Sequence, residues 1–588
     1  MENLYNKASL VLTPQMVETG KVYSMKPEDR KGDFTFTRST AATRVNASGN
    51  IEKETQNLLV QSNNFGTTWT IFDSTLASGQ ADKDGGTSAW KFTNNNPYGR
   101  VTQDVTSSGV NTFSIYAKQG NNPYLRMQFQ PVGHDAYFDL SDGSVISAEA
   151  TIIDAGTEYV GNGWYRVFAS VNQTIDNVRI VHTGAGGAGG GSTGDYFYLQ
   201  DAQLEQGLVA RDYIETTTTA IYGGITDNVP RLDYTDSSCP ALLLEPQKTN
   251  IIESSEYFQD DYWANLGIHQ FDTNTTATTS PMGDYSATKI IADTSSSSSH
   301  NIYGDVLLSS GTQYAVSIFA KAAEYDYLFI RGLGLGANGG ARFNISTGVV
   351  EGVTGYDSAT IEDYGNGWYR CIAIGTATSA TAPYYHMSST SVWAPFAGNN
   401  SDGIYIFGAQ CEAGSYATSY IPTYGSAVTR NIENFSLTGI GNLIGQTEGT
   451  FFLSYSGIAT TSSENNFFSL ADSSGYNRLL VGIANQANKV RTYIDVDTSG
   501  IGDNNSVTDI TSTTKVAMVY TESGNKVKVY INGTKEVDRT MNDTFTEDLT
   551  DFVNDNGAGS QKAQARLEQT MLFQTALTDQ EAIDLTTI

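Results

Sequence analysis

Apolar and polar residues alternate in short runs along most of this chain, and turn residues punctuate the runs. Phe34-Thr-Phe-Thr37, Tyr196-Phe-Tyr-Leu199, Lys515-Val-Ala-Met-Val-Tyr520 and Lys526-Val-Lys-Val-Tyr-Ile531 repeat with period two, the signature of half-buried β-strands. Asp142-Gly143 and Asn532-Gly533 sit between such runs and predict hairpins, because Gly accepts the positive φ that tight hairpin turns need. Only Ala576–Leu585 reads as a convincing helix, with Thr578 and Glu581 spaced as a capping box. The pattern predicts an all-β chain with very little helix.

The strand pattern is duplicated. Gly-Asn-Gly-Trp-Tyr-Arg occurs at 161–166 and again at 365–370. Other segments match in the same order: Asn57-Leu-Leu with Asn250-Ile-Ile, Phe65 and Trp69 with Phe258 and Trp263, and Ser114-Ile-Tyr-Ala-Lys118 with Ser317-Ile-Phe-Ala-Lys321. A period of about 200 residues far exceeds the 20–50 residues or so of a solenoid, so each copy is expected to be a domain with its own core. The division expected is an N-terminal segment 1–55, a module 56–215, an ordered connector strap 216–249, a second module 250–425 and a different β domain 426–588. Residues 1–55 are too few for a core and must pack on something else. No acid, base or nucleophile recurs at matching spacing around Trp164 and Trp368, so the repeated motif reads as a packing motif.

Composition narrows the function. The 588 residues carry 63 acidic against 34 basic side chains, a formal charge of −29. That charge repels a phosphate backbone, so nucleic acid and anionic membrane are unexpected partners. No window approaches the roughly 20 apolar residues of a membrane span, and the start lacks the basic n-region of a signal peptide, so the chain is expected to be made in a cytosol and to stay soluble. Cys239, Cys371 and Cys411 form no CxxC pair and are expected to be free, buried thiols.

Candidate chemistry is sparse. Gly184–Gly189 and Gly334–Gly339 match the dinucleotide fingerprint, but neither precedes a helical pattern that would place a helix N-terminus at a pyrophosphate, so both read as glycine loops. The five histidines stand far apart with no HExxH, and no GxSxG stands between a strand pattern and a helix pattern, as a nucleophile elbow requires. Glycoside hydrolysis needs two carboxylates about 5–10 Å apart, and no acidic pair here is distinguished by its spacing. No enzymatic activity is expected.

The Arg38-Ser-Thr-Ala-Ala-Thr-Arg-Val45 entry, the Asn-Leu-Leu-x-Gln-Ser start, Gly-Asn-Gly-Trp-Tyr-Arg, and Ala417-Thr-Ser-Tyr-Ile-Pro-Thr423 together resemble bacteriophage head and tail fibre proteins. The likeness is to those built from tandem carbohydrate-binding-module-like sandwiches, found in podovirus-like and crAss-like phages. It covers about residues 34–425, while the Val-Tyr-Ile-Asn-Gly hairpin and terminal helix resemble a concanavalin A-like, laminin-G-type sandwich. The resemblance implies tandem jelly-roll β-sandwiches with a C-terminal concanavalin A-like sandwich, in a virion structural protein. It also implies a homo-oligomer, a trimer, docked on phage capsid or tail proteins through residues 1–55 and reaching host-surface glycans. A purely structural scaffold and a polysaccharide-degrading tailspike are the alternatives. Sugar binding uses an exposed aromatic face with amides or carboxylates beside it. Aromatics outside the shared motifs are the candidates: Trp90, Tyr98 beside Asn94–Asn96, and Trp393 near Asn399–Asp402. Sandwiches of this type often hold a structural calcium, for which Asp195, Glu205, Asp402 and Glu412, flanking the last strand of each copy, are the candidate oxygen ligands, with ordinary solvated carboxylates as the alternative; no other cofactor is expected.

Overall fold

The computed structural model describes all residues except 1, 132, 297–298, 337–338, 458–465, 484–488, 497–498, 501–503, 510–512, 522–525, 541–543, 561, 564 and 588. The chain is all-β, with helices only at Glu2–Lys7, Ala185–Gly187 and Asp579–Thr586 among the described residues. In the last of these, Thr578 and Glu581 form both halves of the capping box. The Asp142-Gly143 and Asn532-Gly533 turns join antiparallel strands, with Asn532 and Gly533 both at positive φ.

Each repeat is a sandwich of two six-stranded antiparallel sheets. In the first copy one sheet runs Ile152–Gly161, Trp164–Asn172, Val110–Gln119, Tyr196–Gln206, Ala89–Asn94, Ser74–Gln80. The other runs Ser144–Ala148, His134–Asp139, Tyr124–Gln130, Ile175–His182, Arg100–Ser107, Thr70–Phe72. The second copy repeats both orders, from Ser358–Asp363 to Ile268–Thr273 and from Val349–Thr354 to Trp263–Leu266. Alternation sends every second side chain inward, so Phe113, Ile115, Val167, Ala169 and Ile180 fill the first core, and Val316, Ile318, Cys371, Ala373 and Tyr385 the second.

The same alternation places the repeated tryptophans on the outer side. Trp164 and Trp368 share their strands' outward parity with Arg166 and Arg370, yet both rings are fully buried. Trp368 packs against Phe319, Phe407, Tyr420 and Ile51 and donates to the Thr279 carbonyl at 2.7 Å. The arginine two residues on reaches across to the serine of the matching strand, Arg166 to Ser114 and Arg370 to Ser317, each at 3.1 Å. The motif therefore secures the outer face of a sheet rather than the interior between the sheets.

The third unit is larger than residues 426–588. Leu10–Leu12 and Ala241–Leu244 pair with successive stretches of one edge of Ala565–Phe573, whose other edge is taken by Glu448–Gly457. Phe34–Thr37 pairs with Asn434–Leu437 in the opposing sheet. The N-terminal residues, expected to pack on something else and to serve as an attachment segment, supply strands to both sheets of the last sandwich, and the strap supplies two more. Phe34 stacks on Phe435 at 4.3 Å, and Leu10, Leu12, Phe36, Leu242 and Leu244 share the core with Phe451, Leu453 and Phe552. This arrangement follows from the size problem: strands whose apolar faces cannot form a core of their own become stable by adding to a sheet that can.

A buried ionic cluster joins these pieces. Glu433 accepts from Arg38 at 2.8 Å and from Arg231 at 2.7 and 2.6 Å; Glu245 pairs with Arg231 at 2.8 Å and Arg430 at 2.9 Å. All five side chains are essentially inaccessible. Between the two repeats, Arg211 pairs with Asp284 at 2.7 Å, and Gly109 lies so close to the Tyr424 carbonyl that a Cβ there would fall 1.4 Å from the oxygen.

Candidate functional site

The outer face of one sheet of the second repeat is hollowed into a cleft of about 710 Å³. Its floor comes from three neighbouring strands, His300–Gly304, Tyr384–Ser388 and Tyr327–Arg331. Ile302, Tyr385, Leu328 and Ile330 point into the core, which turns Asn301, Tyr303, Tyr384, His386 and Arg331 outward. Register sets Tyr303 opposite Tyr384, Tyr384 opposite Arg331, and Asn301 opposite His386. The result is a row of rings: Tyr303 and Tyr384 lie 4.6 Å apart at 32°, and Tyr384 and His386 lie 6.0 Å apart at 26°.

Glycine loops make the walls. Gly332 and Gly334 have φ of 108° and 72°, and a Cβ on Gly334 would meet the Ser379 hydroxyl at 2.3 Å, so glycine is what lets the 332–336 and 379–381 loops approach each other. These are residues of the second glycine-rich segment, which forms a wall here and no nucleotide loop. Asn265 and Leu266 close the remaining edge, with Leu266 half exposed.

Two polar atoms in the floor make no hydrogen bond within the protein: Asn301 Oδ1 and His386 Nδ1. Both residues are about 95% or more buried, at 3% and 5% exposure. Both atoms are themselves closed off from the cleft, and leaving each unmet costs roughly 1–3 kcal/mol. Burial, reinforced by the nearby Arg331 cation, pulls the His386 pKa down to about 3. The imidazole is therefore neutral at pH 7 and offers one donor and one acceptor. Arg331 donates from Nε to the Gly339 carbonyl at 3.1 Å, and its guanidinium lies 4.0 Å over the Trp393 ring. It is the one charged side chain in the cleft lining, which holds no Asp or Glu.

The first repeat presents the same face with different chemistry. Register aligns Thr102 with Tyr303, Arg179 with Tyr384, Gln128 with Arg331 and Val181 with His386. There the polar groups engage one another: Thr102 donates to Asn177 at 2.6 Å, Arg179 to Asn177 at 2.9 Å and to Gln128 at 3.2 Å, and Gln128 to Asp135 at 2.9 Å. No aromatic row forms on that face.

The aromatics singled out from sequence fall elsewhere. Trp393 is half-buried behind Arg331, backing the guanidinium from the adjoining hollow rather than lining the cleft. Trp90 donates to the Asn63 carbonyl at 2.9 Å and packs edge-on to Phe65 at the margin of the first core. Tyr98 is 48% exposed at positive φ, on a turn of the first repeat held by Asn94, which accepts from the Gly99 amide and donates to the Ser192 carbonyl. The three form no common site.

The calcium candidates are also kept apart. Asp195 precedes and Glu205 nearly ends the strand Tyr196–Gln206, so about 3.3 Å per residue separates them by roughly 30 Å. Asp402 and Glu412 bracket Gly403–Ala413 in the same way. Glu205 accepts from Gln203 and the Arg211 amide, and Glu412 from Gln410 and both the amide and hydroxyl of Thr418. These buried glutamates tie the tail of each repeat to its last strand. Asp195 accepts from Asn122 and the Ser192 amide, and Asp402 from Ser401. Among the described residues no three His, Cys, Asp or Glu side chains converge as metal ligands. Cys371 and Cys411 are buried free thiols, whereas Cys239, on the strap, is exposed, contrary to expectation. No described helix is long and apolar enough to cross a membrane.

Residues 456–582 match the Laminin_G_3 family, the concanavalin A-like lectin/glucanases superfamily. No curated protein matches the chain. Among solved structures, the carbohydrate-binding module CBM40 of the Ruminococcus gnavus IT-sialidase, bound to α2,3-sialyllactose, is similar at 18% identity over 24% of this chain and 84% of that one, with a TM-score of 0.21. The tandem CBM22-1–CBM22-2 of Paenibacillus barcinonensis Xyn10C is similar at 12% identity over 61% of this chain and 97% of that one, TM-score 0.20. Domain 4 of AbnA, a GH43 arabinanase from Geobacillus stearothermophilus in complex with arabinotriose, is similar at 18% over 30% and 81%, TM-score 0.22. By its own sheets and this family match, the chain is a tandem β-sandwich protein with a concanavalin A-like, laminin-G-type C-terminal region.

Proposed function

We propose that this chain is a carbohydrate-binding display protein that acts by adhesion, and more narrowly a bacteriophage fibre or capsid-decorating protein carried on the virion. The observation that carries the binding reading is the row of rings, Tyr303, Tyr384 and His386, laid along the floor of an open cleft. A pyranose would lay its C–H face on the tyrosines, with Asn301 and His386 lining the floor beside its hydroxyls. The cleft lining lacks the two carboxylates that glycoside hydrolysis uses, which favours binding over cleavage at this place. A concanavalin A-like C-terminal region suits the same task.

The phage reading rests on the likeness of the repeated motifs to fibre proteins. In it, weak contacts at single clefts are multiplied by a symmetric homo-oligomer, a trimer, through effective concentration. Because residues 10–37 are built into the last sandwich, docking on capsid or tail through the N-terminal segment would bring that sandwich to the particle.

A glycan array of bacterial surface polysaccharides, run with the full chain and with Tyr384→Ala, tests the binding reading. Binding lost in the variant supports it. No binding to any glycan means a scaffold, and release of reducing ends means an enzyme. Antibody to the C-terminal sandwich should label purified phage particles in negative stain; particles that never carry it contradict the virion assignment.

A further inference from the structure

Resting on that reading of the cleft, the charges around it define which sugar fits. In the first repeat the outer face holds Arg126 against Asp135 at 2.5 Å, with Gln128 on the same carboxylate. Register carries Gln128 to Arg331 and Tyr137 to Arg342, while the position of Asp135 falls on Gly340. The second repeat thus carries its arginines at new positions, with Phe329 and Tyr384 where the first has Arg126 and Arg179, and has lost the carboxylate that faces them. A smaller hollow of about 170 Å³ adjoins the cleft across Arg331 and is lined by Arg342 and Trp393, again with no Asp or Glu. Among the described residues Arg342 makes no ion pair. On a chain of net charge −29, a face with two guanidiniums and no acid in either lining runs against the surface around it.

We infer that the cleft selects an acidic pyranose, with the Arg331 guanidinium as the group that receives its carboxylate or sulfate. Tyr303 and Tyr384 hold the ring of the sugar, and Asn301 lines the floor beneath its hydroxyls. Arg331 reaches the anion from the wall, and Trp393, stacked behind it, is a positioning residue that fixes the plane of the fork. The fall of the Arg331 pKa below its ordinary value, caused first by burial, agrees with a cation whose desolvation an incoming anion relieves.

The test is an array of matched glycans read with the intact chain: uronate-containing and sialylated oligosaccharides, the same molecules with the carboxyl reduced to the alcohol, and sulfated analogues. The expected result is binding of anionic members, with affinity falling about tenfold or more on carboxyl reduction, as for loss of a charge-assisted hydrogen bond. Arg331→Gln should erase the difference between the paired glycans while leaving the weaker neutral binding that Tyr384→Ala removes. Wild-type affinity should also fall as NaCl rises, a readout that needs no variant. Preference for carboxylated over sulfated members, or the reverse, identifies the anion. Equal binding of acidic and reduced partners overturns this inference and leaves glycan binding standing. Binding to no member overturns the glycan reading beneath it.

Discussion

His386 and His182 show how far burial governs single residues in this protein. His182 lies between Phe92 and Phe197, 4.3 and 4.5 Å from their rings, and burial lowers its pKa to about 3, as at His386. The unfolded chain takes up these protons near pH 6.5 and the folded protein only near pH 3. Unfolding therefore binds protons in that window, and stability present above pH 6.5 is lost as pH falls through it. Each histidine should cost about 2 kcal/mol of stability between pH 7 and 5, and His182→Leu should flatten its share; urea midpoints at the two pH values measure this. Sugar binding should stay level from pH 8 to 5, because His386 remains neutral throughout; calorimetric titration across that range checks it. Trp393→Ala should weaken binding several-fold without unfolding the chain, since a cation–π contact of about 0.5–2 kcal/mol orders Arg331. At this scale the sequence was only partly legible. Trp393 was visible because it stands outside the repeated motifs, but Tyr303 and Tyr384 sit in alternating runs where the adjacent Tyr385, on the same strand as Tyr384, faces the core. Only the cross-strand register, which sequence does not carry, separates a ring facing outward from one facing in.

Among elements, hairpins, the capped terminal helix and the duplicated sandwich were readable because their signals are local: a turn dipeptide, a cap three residues from its partner, a motif met twice. The pairing of Leu10–Leu12 with Ala565–Phe573 was not, because alternation announces a strand but says nothing about a neighbour more than 550 residues away. The two repeated tryptophans illustrate the same limit; their burial followed from sequence, while the face they occupy followed from parity in the sheet. A consequence is that residues 430–588 should not fold alone. Expressed without residues 1–37 and the strap they should be insoluble or lack cooperative unfolding by circular dichroism. In the full chain Phe34→Ala should destabilise the C-terminal unit by about 3–5 kcal/mol, since a fully buried ring would leave a cavity. A stable, cooperative 430–588 fragment would contradict the shared core.

For the whole molecule, the cluster of Arg38, Arg231, Glu245, Arg430 and Glu433 connects the N-terminal strands, the strap, the end of the second repeat and the start of the last sandwich. Removing one member leaves buried arginines uncompensated, so Glu433→Gln should destabilise by about 3–5 kcal/mol and split the calorimetric transition, as the second repeat and the last sandwich cease to melt together. Arg38 and Arg430 lie in or beside motifs that the sequence marked by resemblance alone; their joining role needed the fold. On the proposed function, two copies of one sandwich have diverged, so that the second binds sugar through a face the first has closed with its own hydrogen bonds. Converting that face toward the first copy, with Tyr303→Thr and Tyr384→Arg together, tests this most directly in a glycan-binding titration of the intact chain. The account predicts that binding is lost while the thermal transitions stay within a few degrees of the wild type. Undiminished binding by the double variant, or binding lost instead on Tyr98→Ala in the first repeat, would contradict it.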